Sequence, residues 1–326
     1  MIIDIHAHIV DRAYLDDLVS VSGLSSEFNS QTGQTFFKKR GITVAWTRDD
    51  MFSIDHRLRE MDQLGIDMRV LSLSAPNVYD WPASRQVEVA RKMNNVIAEI
   101  CRTHPDRFAG LGSLPLENPN ESLNEIDCIM GELGLKGIAM GSSVGAYPVN
   151  HPRFEPIWAR INSLKLPVFE HPMLPANIDG MEEFELPIRV GFVFETTTAA
   201  TRLIYSGIFE RYPDFPYIMA HTGGALLAVL ERLDNGYRIF PACREHITKL
   251  PSEYAKKLFY DTTSFSGPLL RMARDIVGPD RLLWGSDDPF IKTDTEYVRR
   301  LTFPKQEEIQ ILGGNAARIL GIAKGQ

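Results

Sequence analysis

The chain has 326 residues, 44% hydrophobic and 24% charged, with 24 Gly and 20 Pro, a balance that excludes a disordered, collagen-like or low-complexity protein. Thirty-five basic against 42 acidic residues leave a net charge of −7, which argues against a nucleic-acid binder, since that would carry a basic excess. The three cysteines (Cys101, Cys128, Cys243) form no CxxC pair, the start MIIDIHAHIV lacks a signal peptide's basic region, and no run approaches the ~20 apolar residues of a membrane helix, so a soluble, cytoplasmic protein is expected.

In chain order, eight short apolar runs rich in β-branched residues read as strands: 2–5, 68–73, 108–114, 137–140, 166–169, 217–220, 258–260 and 282–284. Helical spacing separates them, as in Ile54, Leu58, Met61 and Leu64, or Val87, Ala90, Met93, Ile97 and Ile100. Repeated alternation of strand and helix implies parallel pairing, and eight units point to a (β/α)8 TIM barrel. The alternative is an open doubly wound sheet, but no GxGxxG follows the first strand. No internal repeat or low-complexity linker interrupts the chain, so one domain over 1–326 is expected. Two segments exceed what a barrel needs: an insertion at 11–50, with Phe36, Phe37, Trp46 and Arg48, and a long connection at 172–215. Both leave from strand C-terminal ends, where barrel enzymes build their sites.

The strand ends carry the chemistry. The first strand is followed by His6-Ala7-His8, the fifth by Glu170-His171-Pro172, the sixth by His221-Thr222-Gly223-Gly224, and the eighth by Gly285-Ser286-Asp287-Asp288-Pro289. A barrel gathers these ends into one ring. Side chains at i and i+2 share a face of a strand, so His6 and His8 aim the same way. A lone His-x-His pair arises often by chance. Adding His171 and Asp287 supplies three nitrogens and one carboxylate oxygen, a set suited to Zn²⁺ with a position left open. Mn²⁺ is the other candidate, because one ligand is a carboxylate. His221 reads as a proton donor or acceptor, and Asp287 as a group that both meets the metal and takes a proton.

These motifs, with Gly314-Asn315-Ala316-Ala317-Arg318 near the C-terminus, resemble the amidohydrolase superfamily, specifically its "amidohydrolase 2" branch of aminocarboxymuconate-semialdehyde decarboxylase-like proteins. The resemblance implies a (β/α)8 barrel with one metal on His6, His8, His171 and Asp287, and a catalytic histidine at His221. Binuclear relatives carry a lysine at the end of strand four; here Lys136 stands at that strand's beginning, so a single ion is expected. A homodimer or higher oligomer is expected from the resemblance and from the aromatic surface of 11–50.

Substrate contacts are less determined by sequence. Arg48 is the candidate for pairing a substrate carboxylate, Arg189 a weaker one, and Tyr79 and Trp81 could pack on a planar ring. The leading reading is a metal-dependent, non-oxidative decarboxylase of a small carboxylated aromatic or muconate-type compound. A metal-dependent hydrolase or hydratase is the runner-up, since the same ligands and bases serve all three reactions. A non-catalytic barrel would lack a ligand or have a blocked mouth, and every expected ligand is present.

Overall fold

The computed structural model describes residues 1–322. Its first strand, β1 (Ile3–Ile9), is buried along its whole length. There follow helix α1 (Arg12–Ser22), strands β2 (Ser25–Asn29), β3 (Gln34–Lys39) and β4 (Ile42–Thr47), helix α2 (Ile54–Leu64), β5 (Met68–Leu73) and α3 (Ala83–Thr103). Next come β6 (Phe108–Gly110), β7 (Gly112–Ser113), α4 (Pro119–Gly131), β8 (Ile138–Gly141), and a hairpin of β9 (Ser143–Val144) and β10 (Tyr147–Pro148). Then follow α5 (Glu155–Leu164), β11 (Val168–His171), α6 (Phe192–Tyr205), β12 (Tyr217–Met219), β13 (Phe259–Asp261) and β14 (Leu282–Leu283).

The protein is mixed α/β with parallel sheets. One sheet has the order β1-β5-β6 and the other β14-β13-β12-β11-β8-β7, and every pair in both is parallel. Backbone bonds run between the two sheets at both margins. The Leu111 N–H donates to the Leu71 carbonyl at 2.9 Å, and the Ile5 N–H to the Trp284 carbonyl at 3.0 Å. All eight expected strands are found, with shifted ends: the third divides at Leu111, and the first extends to Ile9, so both its histidines are strand residues. No helix among the described residues is long and apolar enough to cross a membrane.

Local chemistry explains where helices start. Asp11 caps α1 by accepting from the Tyr14 N–H at 2.7 Å, and Ser53 caps α2 by accepting from the His56 N–H at 3.1 Å. The 11–50 insertion is therefore not an irregular loop. After α1 it forms an antiparallel meander, β2-β3-β4, whose Phe37, Val44 and Ala45 are buried in the main core. Of the 172–215 connection, α6 is the expected crossover helix, which leaves 172–191 as the added segment.

The side-chain phase of β1 decides where the polar site sits. Ile3 and Ile5 join an apolar cluster with Val70, Leu111, Phe169 and Ile218, while Ala7 and Ile9 belong to the larger core against the helices. Strict alternation would carry Ala7 and Ile9 to the same face as Ile3 and Ile5. The β1–β5 register shifts between Asp4 and Ala7. Such an irregularity re-aims side chains. His6 and His8 accordingly take over the face that Ile3 and Ile5 occupy one layer below.

Candidate active site

His6 and His8 meet at Nε2–Nε2 3.0 Å, and both Nε2 atoms lie near Asp287 Oδ1, at 3.4 and 3.5 Å. His171, at the end of β11, brings its ring 4.7 Å from that of His8 and 5.3 Å from that of His6. His221 completes the group, with Nε2 3.9 Å from Asp287 Oδ2. Ligand atoms of His6, His171, His221 and Asp287 all lie within 4.8 Å of one another. Five residues expected from four strand ends thus converge on one point.

The far nitrogens explain the orientation. His6 Nδ1 is 2.6 Å from Asp261 Oδ2, His8 Nδ1 3.1 Å from Ser72 Oγ, and His171 Nδ1 3.1 Å from the Pro172 carbonyl. An acceptor behind an imidazole holds the proton on Nδ1 and leaves the Nε2 lone pair facing the centre, the arrangement metal-binding histidines use. Asp261 is itself fixed, accepting from the Thr263 hydroxyl at 2.8 Å and the Thr222 N–H at 2.8 Å. Asp261 and Ser72 were absent from the sequence reading. The signal for Asp261 was available, because it ends β13, the neighbour of β12 in the same sheet.

Two glycines make room for this packing. A Cβ on Gly285 would lie 2.7 Å from the His6 Cβ, and one on Gly224 would lie 2.3 Å from the Val193 carbonyl oxygen. The turn bearing His221 has positive φ at His221, Thr222, Gly223 and Gly224 in succession, and the His221 N–H donates to Thr263 Oγ1 at 3.1 Å. His221 Nδ1 is buried with no partner among the described residues. Asp287 also has positive φ, 63°, and donates its N–H to the His6 carbonyl at 2.8 Å.

Burial opposes charge on the three imidazoles behind these contacts. On His6 the carboxylates of Asp287 and Asp261 outweigh it and lift the ring to about 10. His8 is held down at about 4 and His171 well below the ordinary range, both chiefly by burial. Asp287 lies well below the usual carboxylate range, because His6 and its histidine hydrogen bonds overcome the cost of burial. The carboxylates of Asp287 and Asp261 thus favour positive charge at His6, a charge that a divalent cation would supply in place of the proton. A divalent cation fits that donor set: imidazole nitrogens with oriented lone pairs and one anionic oxygen. Lys136 precedes β8, three residues before Ala139, whereas His171 pairs with Gly141 at that strand's other end, so no lysine among the described residues joins the cluster.

Of the cluster, His171, His221 and Asp287 form one wall of a cavity of about 540 Å³, a volume suited to a small organic ligand. Its other walls include Trp46, Phe192, Phe265 and Phe290. Arg189 lines it, paired with Glu185 at 2.8 Å. Arg48 does not: its Nε is 3.1 Å from Asp50 Oδ1, and its guanidinium lies over the Trp46 ring. Tyr79 and Trp81 are buried in the main core rather than on the cavity wall. Phe290, one residue beyond the Asp-Pro motif, supplies an aromatic wall that sequence reading passed over.

Residues 3–322 match the family model described as amidohydrolase. The chain is 32% identical over 289 residues to a gamma-resorcylate decarboxylase of Rhizobium radiobacter, covering 81% of this chain and 86% of the relative. It is 30% identical over 277 residues to a 2-amino-3-carboxymuconate-6-semialdehyde decarboxylase of Dictyostelium discoideum, with 82% and 76% covered. Among solved structures, the 5-carboxyvanillate decarboxylase of Sphingomonas paucimobilis superposes with a TM-score of 0.86 at 26% identity, covering 99% of both chains. Matched over nearly its whole length, with the strand-end histidines and aspartate gathered as its motifs imply, this chain belongs to the amidohydrolase family.

Proposed function

We propose that the protein is a metal-dependent, non-oxidative decarboxylase of a small aromatic acid, with a muconate-type acid the alternative substrate. The observation that carries this is the histidine–aspartate cluster on the wall of an aromatic cavity. Relatives at 30% identity or more that are named as decarboxylases of such acids support it. His6, His8, His171 and Asp287 would hold one divalent cation, which supplies positive charge to polarise a substrate oxygen. Zn²⁺ is our reading from the imidazoles, with Mn²⁺ the alternative.

The reaction replaces a carboxylate by a proton on the same carbon. His221 would deliver that proton from Nε2, which lies 3.9 Å from Asp287 Oδ2. As the C–C bond breaks, its electron pair returns to the ring and CO₂ leaves. Phe192, Phe265, Phe290 and Trp46 would exclude water and hold the ring flat. Arg48, expected as the carboxylate clamp, lies off the cavity wall, so Arg189, which lines it, would be the guanidinium that meets the ligand.

We further infer a single domain in which the two sheets form one closed eight-stranded barrel, supported by the backbone bonds at both margins. A cytoplasmic home is supported by three free cysteines, and a homodimer by the exposed Phe184, Val190 and Phe194 beside the cavity. The test of function is incubation of the metal-loaded protein with 2,6-dihydroxybenzoate, 6-methylsalicylate and 5-carboxyvanillate, following CO₂. Release of one CO₂ per ring consumed, without uptake of water into the product, is expected. A hydrated or hydrolysed product with no CO₂ would replace this reading with the hydrolase one.

A further inference from the structure

Beneath the cluster lies a second group of charges to which the chemistry above assigns no part. Asp288 is 3% exposed, Arg57 4% and Arg69 1%, so all three are out of water. Arg69 Nη1 stands 2.8 Å from Asp288 Oδ1, and Arg57 Nη1 3.0 Å from Asp288 Oδ2. Arg69 also reaches Asp4, Nε to Oδ2 at 3.4 Å, across the β1–β5 pair in which the two residues are partners. Arg69 Nη1 also meets Glu60 Oε2 at 3.4 Å, and Lys292 Nζ meets Glu60 Oε1 at 3.2 Å, so every charge of the group has an opposite partner, as buried ions require.

This group grips the metal-site turn on both sides of Asp287. Ser286 donates its hydroxyl to Asp4 Oδ2 at 2.5 Å and its N–H to Asp4 Oδ1 at 3.0 Å. The Asp288 N–H donates to Ser286 Oγ at 3.1 Å, while the Asp288 carbonyl accepts from the His8 N–H at 2.7 Å. Asp287, between these anchors, holds a left-handed φ of 63°. A non-glycine residue keeps such a backbone only where its surroundings over-determine it.

We propose that the ion pairs of Asp288 with Arg57 and Arg69 position the metal site. They hold the turn so that Asp287 faces the histidines, and through the Asp288 carbonyl they set His8 as well. Asp288, Arg57 and Arg69 are positioning residues here, since none reaches the cavity. The inference rests on reading the cluster as a metal centre.

Equilibrium dialysis against Zn²⁺ and against Mn²⁺, with thermal melts of the metal-free proteins, tests it. Asp288→Asn and Arg57→Lys are compared with wild type and with Glu125→Gln, which removes a buried charge remote from the site, where Arg91 and Asn94 hold it. Asp288→Asn is expected to lose about 10–100-fold in ion affinity, the usual effect of removing a group behind a ligand. Arg57→Lys, which keeps the charge, should lose less, and Glu125→Gln should melt lower but bind as wild type does. Wild-type affinity in Asp288→Asn and Arg57→Lys would overturn the proposal, as would an equal loss in Glu125→Gln. If Asp288→Asn does not fold, the affinity of Arg57→Lys decides. Failure of wild type itself to bind either ion would overturn the metal-centre reading instead.

Discussion

His221 and His171 look alike in sequence, each closing a strand, and their surroundings separate them. His171 has its Nδ1 on the Pro172 carbonyl, as a ligand's far nitrogen should be, whereas His221 Nδ1 has no partner among the described residues. His221→Ala should therefore retain the ion and lose ~10²–10⁴-fold in turnover, the range for a proton-transfer group. His171→Ala should lose the ion itself, and metal content after gel filtration distinguishes the two. Glu170, adjacent in sequence, faces Thr196 of α6 instead, with Oε2 unpartnered. Burial lifts its carboxyl to about 8. A carboxyl raised in the folded state contributes its full stability below its ordinary value near 4.5 and loses it as pH rises through about 8. Glu170→Gln should flatten the stability profile across that window and exceed wild type at pH 9 by roughly 5 kcal/mol, at ~1.4 kcal/mol per pKa unit. Urea melts at pH 5, 7 and 9 would read this directly.

Among the elements, the meander β2-β3-β4 departs most from a bare βα unit. Its aromatic residues suggested an oligomer contact from sequence. In the structure its inner edge is part of the molecule: Phe37 is 4% exposed, and Val44, Ala45 and Trp46 reach the cavity. Phe37→Ala should then cost about 3–5 kcal/mol, as for a buried aromatic elsewhere. Phe28, on β2 and 66% exposed, should cost less than ~0.5 kcal/mol when truncated. Equal urea midpoints for the two variants would show a meander that is not docked. The segment 172–191 plays the companion role on the other side of the cavity, carrying Glu185, Ile188 and Arg189 to its wall.

For the whole molecule, the proposed metal ligands come from β1, β11 and the turn after β14, which are spread across the chain. An ion held there ties those segments together and should stabilise the fold by mass action. Dialysis against a chelator is expected to lower the melting temperature, and ion at ~100 times its Kd should return about 2.7 kcal/mol. Elemental analysis should find one equivalent per chain. Two equivalents would contradict the single-ion reading, and a monomer in light scattering would contradict the dimer.

Much of this protein was legible in its sequence because local rules are strong there. A continuously apolar run of β-branched residues has few alternatives to a buried strand, and His6-x-His8 can only share a face within one. The alternation of strand and helix then brought His171, His221 and Asp287 to the same ring without any distance being known. What tertiary structure decided depends on partners remote in sequence. The register shift in β1 inverts its side-chain phase, and Asp261 becomes the support of His6 across 255 residues. Arg48 turned to Asp50 while Arg189 came to the wall, because a long guanidinium follows the nearest carboxylate that the fold presents. Asp288 read as one more acid in a motif until two buried arginines closed on it. Such charges cannot stay unpaired out of water, and only the folded chain determines which opposite charges are within reach.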